Sequence, residues 1–233
     1  GMPEAVEAYV TNKDLKEVRK IQKELLDAYE QDFSKHAPSN IVPRIRQLWN
    51  NIPTQLAKEN KKFLYQVIKD GARAREYENA LNWLNDANLI YKVYNVKKAD
   101  FPLKAYNDLN SFKIYMNDVG LLRRMANLDS RIVIEGNRLF EEFKGALTEN
   151  YVLNMLNIVF DNVPNYFTFD RCEIDFIIQN KNIITPIEVK AGKSVNNMSL
   201  TRYNEKFNDG LSVRFSLNNL KLDGKILNIP LYS

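Results

Sequence analysis

From Cys172 to Ile178 the chain alternates: Cys172, Ile174, Phe176 and Ile178 take one parity, and Glu173, Asp175 and Ile177 the other. Period-two alternation predicts a strand with both acids on one face. Asn180, Lys181 and Asn182 are a turn signal. The next segment, Ile183 to Ala191, alternates again, with Ile187, Val189 and Ala191 on one side and Pro186, Glu188 and Lys190 on the other. Charge on apolar strands is costly unless it is solvated, paired or used, and few folds place it there. A two-residue turn centred on Lys181 and Asn182 sets Asp175 opposite Glu188, with β-carbons about 5 Å apart. Centring the turn one residue earlier pairs Glu173 with Glu188 instead. An odd-length loop would send Asp175 and Glu188 to opposite faces. Oxygen ligands this close suit Mg²⁺ or Mn²⁺.

A third acid stands upstream. Residues 135–160 read as a helix, with apolar positions at Leu139, Phe143, Leu147, Tyr151 and Met155. Glu149 lies just off that stripe and leans back over Gly145 and Ala146, where small side chains would let a sheet approach. A helix acid, a strand acid and then Glu-x-Lys is the order found in nucleases of the PD-(D/E)XK, restriction-endonuclease-like fold, which this part of the chain resembles. The wider chain is similar to the C-terminal portion of a prokaryotic group of AAA+-type ATPases that carry an uncharacterised domain of that fold. The matching stretches are Gly1 to Val6, Tyr29 to Lys35, Ile52 to Leu56, Trp83 to Ile90 and Phe112 to Leu121, followed by Glu149, Asp175 and Glu188-Val189-Lys190.

The resemblance implies an α+β or α/β chain: a helical linker over residues 1–37, a winged-helix-like domain over 38–118, and a restriction-endonuclease-like αβ domain with a mixed sheet over 119–233. It also implies site roles. Asp175 and Glu188 would hold Mg²⁺ or Mn²⁺, with the Val189 carbonyl as a further ligand. Glu149 would ligate a second ion or orient water, and Lys190 would position the attacking water or stabilise phosphate charge. The metal lowers the pKa of water and spreads transition-state charge, so no histidine is needed. The expected activity is hydrolysis of DNA or RNA phosphodiesters. The alternative is a non-catalytic module that keeps the fold for nucleic-acid binding, regulation or oligomerisation.

The ATPase core itself is not expected within these residues. Gly192-Lys193-Ser194 could end a P-loop, but the first glycine of that motif would fall at Ile187, inside the Glu-Val-Lys strand. Either a core precedes residue 1 or this member lacks the motor. Gly1 before Met2 reads as an expression scar or as the natural glycine of the matching stretch.

Composition points to a cytoplasmic chain with no membrane partner, since no apolar run nears the roughly 20 residues of a span. The single cysteine, Cys172, excludes an intramolecular disulfide, and the single histidine, His36, excludes Ser-His-Asp and multi-histidine metal chemistry. Net charge is +4 and well mixed, which is weak evidence for a nucleic-acid partner.

The first half is helical. Asp14 to Gln31, Ile41 to Trp49, Thr54 to Ile68 and Arg73 to Leu84 read as helices, with the second ended by Asn50, Asn51 and Pro53. Leu89 to Val96 and Phe112 to Met116 read as strands, and Asp118 as the cap of a short helix at Leu121 to Ala126. Lys61, Lys62, Lys69, Arg73 and Arg75 cluster around the recognition-like helix and could neutralise phosphates. A solvated basic face is the plainer reading, and Glu76 and Glu78 oppose groove entry. Winged helices also serve as oligomer surfaces, so a second copy is another candidate partner. Ser199 to Phe207 reads as a helix, and Leu211 to Leu217 and Ile226 to Leu231 as closing strands.

Overall fold

The computed structural model describes residues 1–58, 61–128, 141–192, 198–207 and 210–232, without the side chains of 141 and 142. The class is the mixed α+β one expected: a helical N-terminal region followed by an α/β region with an eight-stranded mixed sheet. The helices are α1 (Pro3–Asn12), α2 (Leu15–His36), α3 (Val42–Leu56), α4 (Ala74–Asp86), α5 (Val119–Met125), α6 (Glu141–Phe160) and α7 (Met198–Phe207). The strands are β1 (Ile90–Val96), β2 (Asn107–Met116), β3 (Asn165–Phe169), β4 (Cys172–Asn180), β5 (Ile183–Val189), β6 (Ser212–Ser216), β7 (Lys221–Asp223) and β8 (Ile226–Pro230). Their order across the sheet is β2-β1-β3-β4-β5-β6-β8-β7. Contacts gather Gly1–Tyr91 with Ile114–Asn150 as one unit, and Lys92–Lys113 with Tyr151–Ser233 as a second.

In the first unit, local signals hold where a side chain completes the backbone. Asp14 caps α2 through Lys16 N–H, and Asp118 caps α5 through Leu121 N–H at 2.8 Å. The core is aromatic: Trp49 meets Tyr29 and Phe33 edge-on at 6.2 and 5.4 Å.

Two helix limits differ from expectation. α3 runs through Asn50, Asn51 and Pro53 to Leu56. An interior proline costs about 3 kcal/mol, whereas burying Ile52 and Leu56 returns about 1.5–3 kcal/mol each. The helix expected over residues 54–68 then stops at Leu56, and only the 3-10 turn Tyr65–Val67 follows. The reason is Gln55, 1% exposed, whose amide donates to Leu64 O at 2.9 Å and whose carbonyl accepts from Leu64 N at 3.2 Å. That pair of bonds serves Leu64 in an extended conformation, which a helix could not use.

The second unit carries the mixed ladder. β1 runs parallel to β3, β3 and β4 are antiparallel, as are β4 and β5, and β5, β6 and β8 run parallel. β1 therefore belongs to a larger sheet and does not stand as an isolated wing. Val96, Phe167, Phe169, Ile174, Leu200 and Tyr203 form its apolar cluster, on which Phe207 of α7 packs. β7, three exposed residues antiparallel to β8, was not expected, since a short exposed edge strand has no alternation to show.

Candidate active site

β4 and β5 are joined by the two-residue turn that parity required. The ladder runs from Asn180↔Ile183 to Phe176↔Ile187, and Lys181 takes a left-handed φ of 53° in the turn. One step beyond that last pair stand Asp175 on β4 and Glu188 on β5. There a side chain replaces a ladder carbonyl: Val189 N–H donates to Asp175 Oδ2 at 2.8 Å. The cause lies on the other edge of β4. Asn165 pairs with Ile177 and Phe167 with Ile174, so Asp175 and Phe176 together face Tyr166 alone. This is a bulge, which twists the strand and re-aims the side chain it carries.

Glu188 is 5% exposed, and its Oε1 accepts from Lys190 Nζ at 2.5 Å. Asp175 and Lys190 are half-buried, so the group reaches solvent on one side. Glu173, two residues before Asp175, is bonded to the buried Lys113 at 2.5 Å, and that ammonium also lies over the Tyr166 ring. Burial holds the Tyr166 phenol above its ordinary pKa, while its bond to Ser111 pulls the other way.

Asp175, Glu188, Val189 and Lys190 are thus brought together in the second unit. Glu149 lies in the first, where it is buried, bonded to Lys61 and receiving the Tyr115 hydroxyl at 3.0 Å. The stripe expected on its helix holds in part. Leu147 is buried, Phe143 and Tyr151 are half-buried and Met155 is exposed, while burial extends to Ala146, Glu149, Asn150, Val152, Leu153 and Leu156. Polar side chains turn inward because they have partners: Asn150 bonds both Met116 N and Met116 O. Gly145 is not a point of close approach, for a β-carbon there would meet nothing within 4 Å. Leu139 falls outside the described residues.

The basic cluster divides. Lys61 is committed to Glu149, Lys62 is half-buried, and Lys69, Arg73 and Arg75 are exposed.

One residue at the sheet centre was missed. Arg214 on β6 is the register partner of Glu188 and is 5% exposed. Its place as the only charge in an otherwise uncharged strand was the signal available in Ser212 to Ser216.

Among the described residues, no group of three or more His, Cys, Asp and Glu side chains is arranged to hold a metal. The Asp175–Glu188 set has two, and the third donor expected there is a main-chain carbonyl. All three are hard oxygen donors, which fits Mg²⁺ or Mn²⁺ better than a thiophilic metal. Nor is any helix among the described residues long and apolar enough to cross a membrane.

Comparison with known proteins divides the chain in two. A family model described as "Domain of unknown function (DUF8612)" matches residues 1–132, and one described as "Domain of unknown function (DUF4143)" matches residues 144–232. Domains of the second kind commonly follow AAA ATPases in prokaryotic proteins. The chain is also similar to Protein DML1 of Debaryomyces hansenii, 25% identical over 162 residues that cover 66% of this chain and 31% of that protein. The chain therefore spans less than a third of that relative's length. No solved structure matches it.

Proposed function

The chain belongs to the family described as Domain of unknown function (DUF8612), and from the acids and lysine on β4 and β5 we propose that its second unit is a metal-dependent phosphodiesterase acting on DNA or RNA. In this reading the module works beside an AAA+-type ATPase core. The observation that carries it is the bond from Val189 N–H to Asp175, which lies in a bulge, with the buried Glu188 and its partner Lys190 on either side of Val189.

Each residue then has a part that its surroundings support. Val189 N–H holds Asp175 by one oxygen and so orients the carboxylate. Glu188 supplies a second carboxylate from a buried position where water competes weakly. Lys190, 30% exposed at its side chain, can leave Glu188 and place its ammonium against a phosphoryl oxygen or the attacking water. Mg²⁺ or Mn²⁺ held by Asp175, Glu188 and the Val189 carbonyl would supply an activated water and charge stabilisation at the phosphate.

One observation favours a second reading, a non-catalytic binding, regulatory or oligomerising module. The Lys190–Glu188 bond already balances the buried charge within the chain, as a purely structural ion pair would.

Incubation with single- and double-stranded DNA and RNA in Mg²⁺ or Mn²⁺, beside Glu188→Ala and Lys190→Ala, decides between them. Phosphodiesterase activity predicts cleavage by the parent and a loss of about 100-fold or more in each variant. Cleavage that persists in both variants belongs to another source. None under any condition leaves the non-catalytic module.

A further inference from the structure

Arg214 joins the candidate centre to a pocket on the same unit. It stands in register with Glu188 on one side and with Asn228 on the other, and Asn228 is in turn the partner of Lys221. Adjacent strands lie about 4.8 Å apart, so the guanidinium begins one strand away from the carboxylate. Beyond it lies a cavity of about 380 Å³, lined by Arg214, Asn218, Asn219, Leu220, Lys221, Asp223 and Asn228. Two cations stand there against one carboxylate, and Asp223 is exposed.

The wall is held in place before any ligand arrives. Arg214 Nε donates to Asn228 Oδ1 at 2.9 Å, and Ser216 Oγ donates to the same oxygen at 2.6 Å. Asn228 Nδ2 donates to the carbonyls of Asn218 and Asn219 at 2.9 and 3.0 Å. One buried amide therefore fixes both the arginine and the loop across from it. A guanidinium preset in this way, with Lys221 at the rim and a single exposed carboxylate opposite, suits an oxyanion with several acceptors.

We propose that this recess holds a phosphate of the nucleic-acid strand next to the scissile one, with Arg214 as the positioning cation and Lys221 at its rim. The proposal rests on the phosphodiester reading of β4 and β5 and assigns where the substrate strand runs: from Glu188 over β6 towards β7 and β8.

Fluorescence anisotropy of a labelled twelve-nucleotide thymidine strand, measured in EDTA so that no hydrolysis intervenes, tests it without activity. Arg214→Gln is expected to weaken binding about tenfold. It should also lower the slope of log affinity against log salt by about 0.7, one lost phosphate contact. Asn219→Asp keeps the acceptor for Tyr232, which donates to it at 2.7 Å, and adds a negative charge at an exposed position. It is expected to weaken binding comparably even if Arg214→Gln fails to fold. Parent protein that does not bind, or Asn219→Asp that binds with unchanged affinity and slope, overturns the proposal. The two readings fail separately. Arg214-dependent binding without cleavage in Mg²⁺ removes only the phosphodiesterase, and cleavage with unaltered binding in the variants removes only the pocket.

Discussion

Glu149 and Glu188 are both buried carboxylates bonded to a lysine, and they are built in opposite ways. The side chain of Glu149 is 8% exposed, and its partners Lys61 and Tyr115 come from distant parts of the first unit. Glu188 is 7% exposed at its side chain, and its partner Lys190 lies two residues on along the same segment, with a side chain 30% exposed. Lys61, at 15%, has little solvent to turn to, whereas Lys190 has a route out. A pair closed by tertiary structure acts as a lock. A pair closed locally, at a solvent-reaching edge, can open to a ligand without dismantling the fold.

Removing each carboxylate tests that contrast most severely. Glu149→Ala leaves Lys61 buried and the Tyr115 hydroxyl without its acceptor, and is expected to lower stability to urea by about 3–5 kcal/mol. Glu188→Ala should cost less, about 1–3 kcal/mol, because Lys190 can move into water and the neighbouring Arg214 keeps its bond to Asn228. Equal losses would erase the distinction. Asp175→Asn sharpens it further. The amide oxygen still accepts from Val189 N–H, so stability should change by less than about 1 kcal/mol. Mn²⁺ binding followed by calorimetry should be lost, and a variant that binds Mn²⁺ like the parent would take Asp175 out of the donor set. Lys206→Ala gives the exposed limit. Its pair with Asp170 has side chains 47% and 61% exposed, and its loss should cost no more than about 0.5 kcal/mol.

The elements that were legible share a cause. β4, β5 and their turn were readable because alternation is a property of the strand backbone, and one parity argument ties Asp175 to Glu188. The cap at Asp118 was readable because the acceptor and donor lie within three residues. What escaped depends on partners far along the chain. Gln55 ends a helix by bonding Leu64, and Asn150 turns a helix face inward by bonding Met116, so counting apolar residues misplaced both. The bulge at Asp175 needs β3 to be seen at all, and Arg214 acquires meaning only once β6 is laid beside β5.

By itself, then, the sequence determined the strand pair, its parity and the oxygen and ammonium groups that can face a phosphodiester, because these follow from backbone periodicity over a few residues. Tertiary structure alone decided that Glu149 is locked by Lys61 while Glu188 keeps a local partner, and that Arg214 stands next to Glu188. Those facts rest on which strands and loops meet after hundreds of weak contacts are summed, and no short window of residues carries that sum.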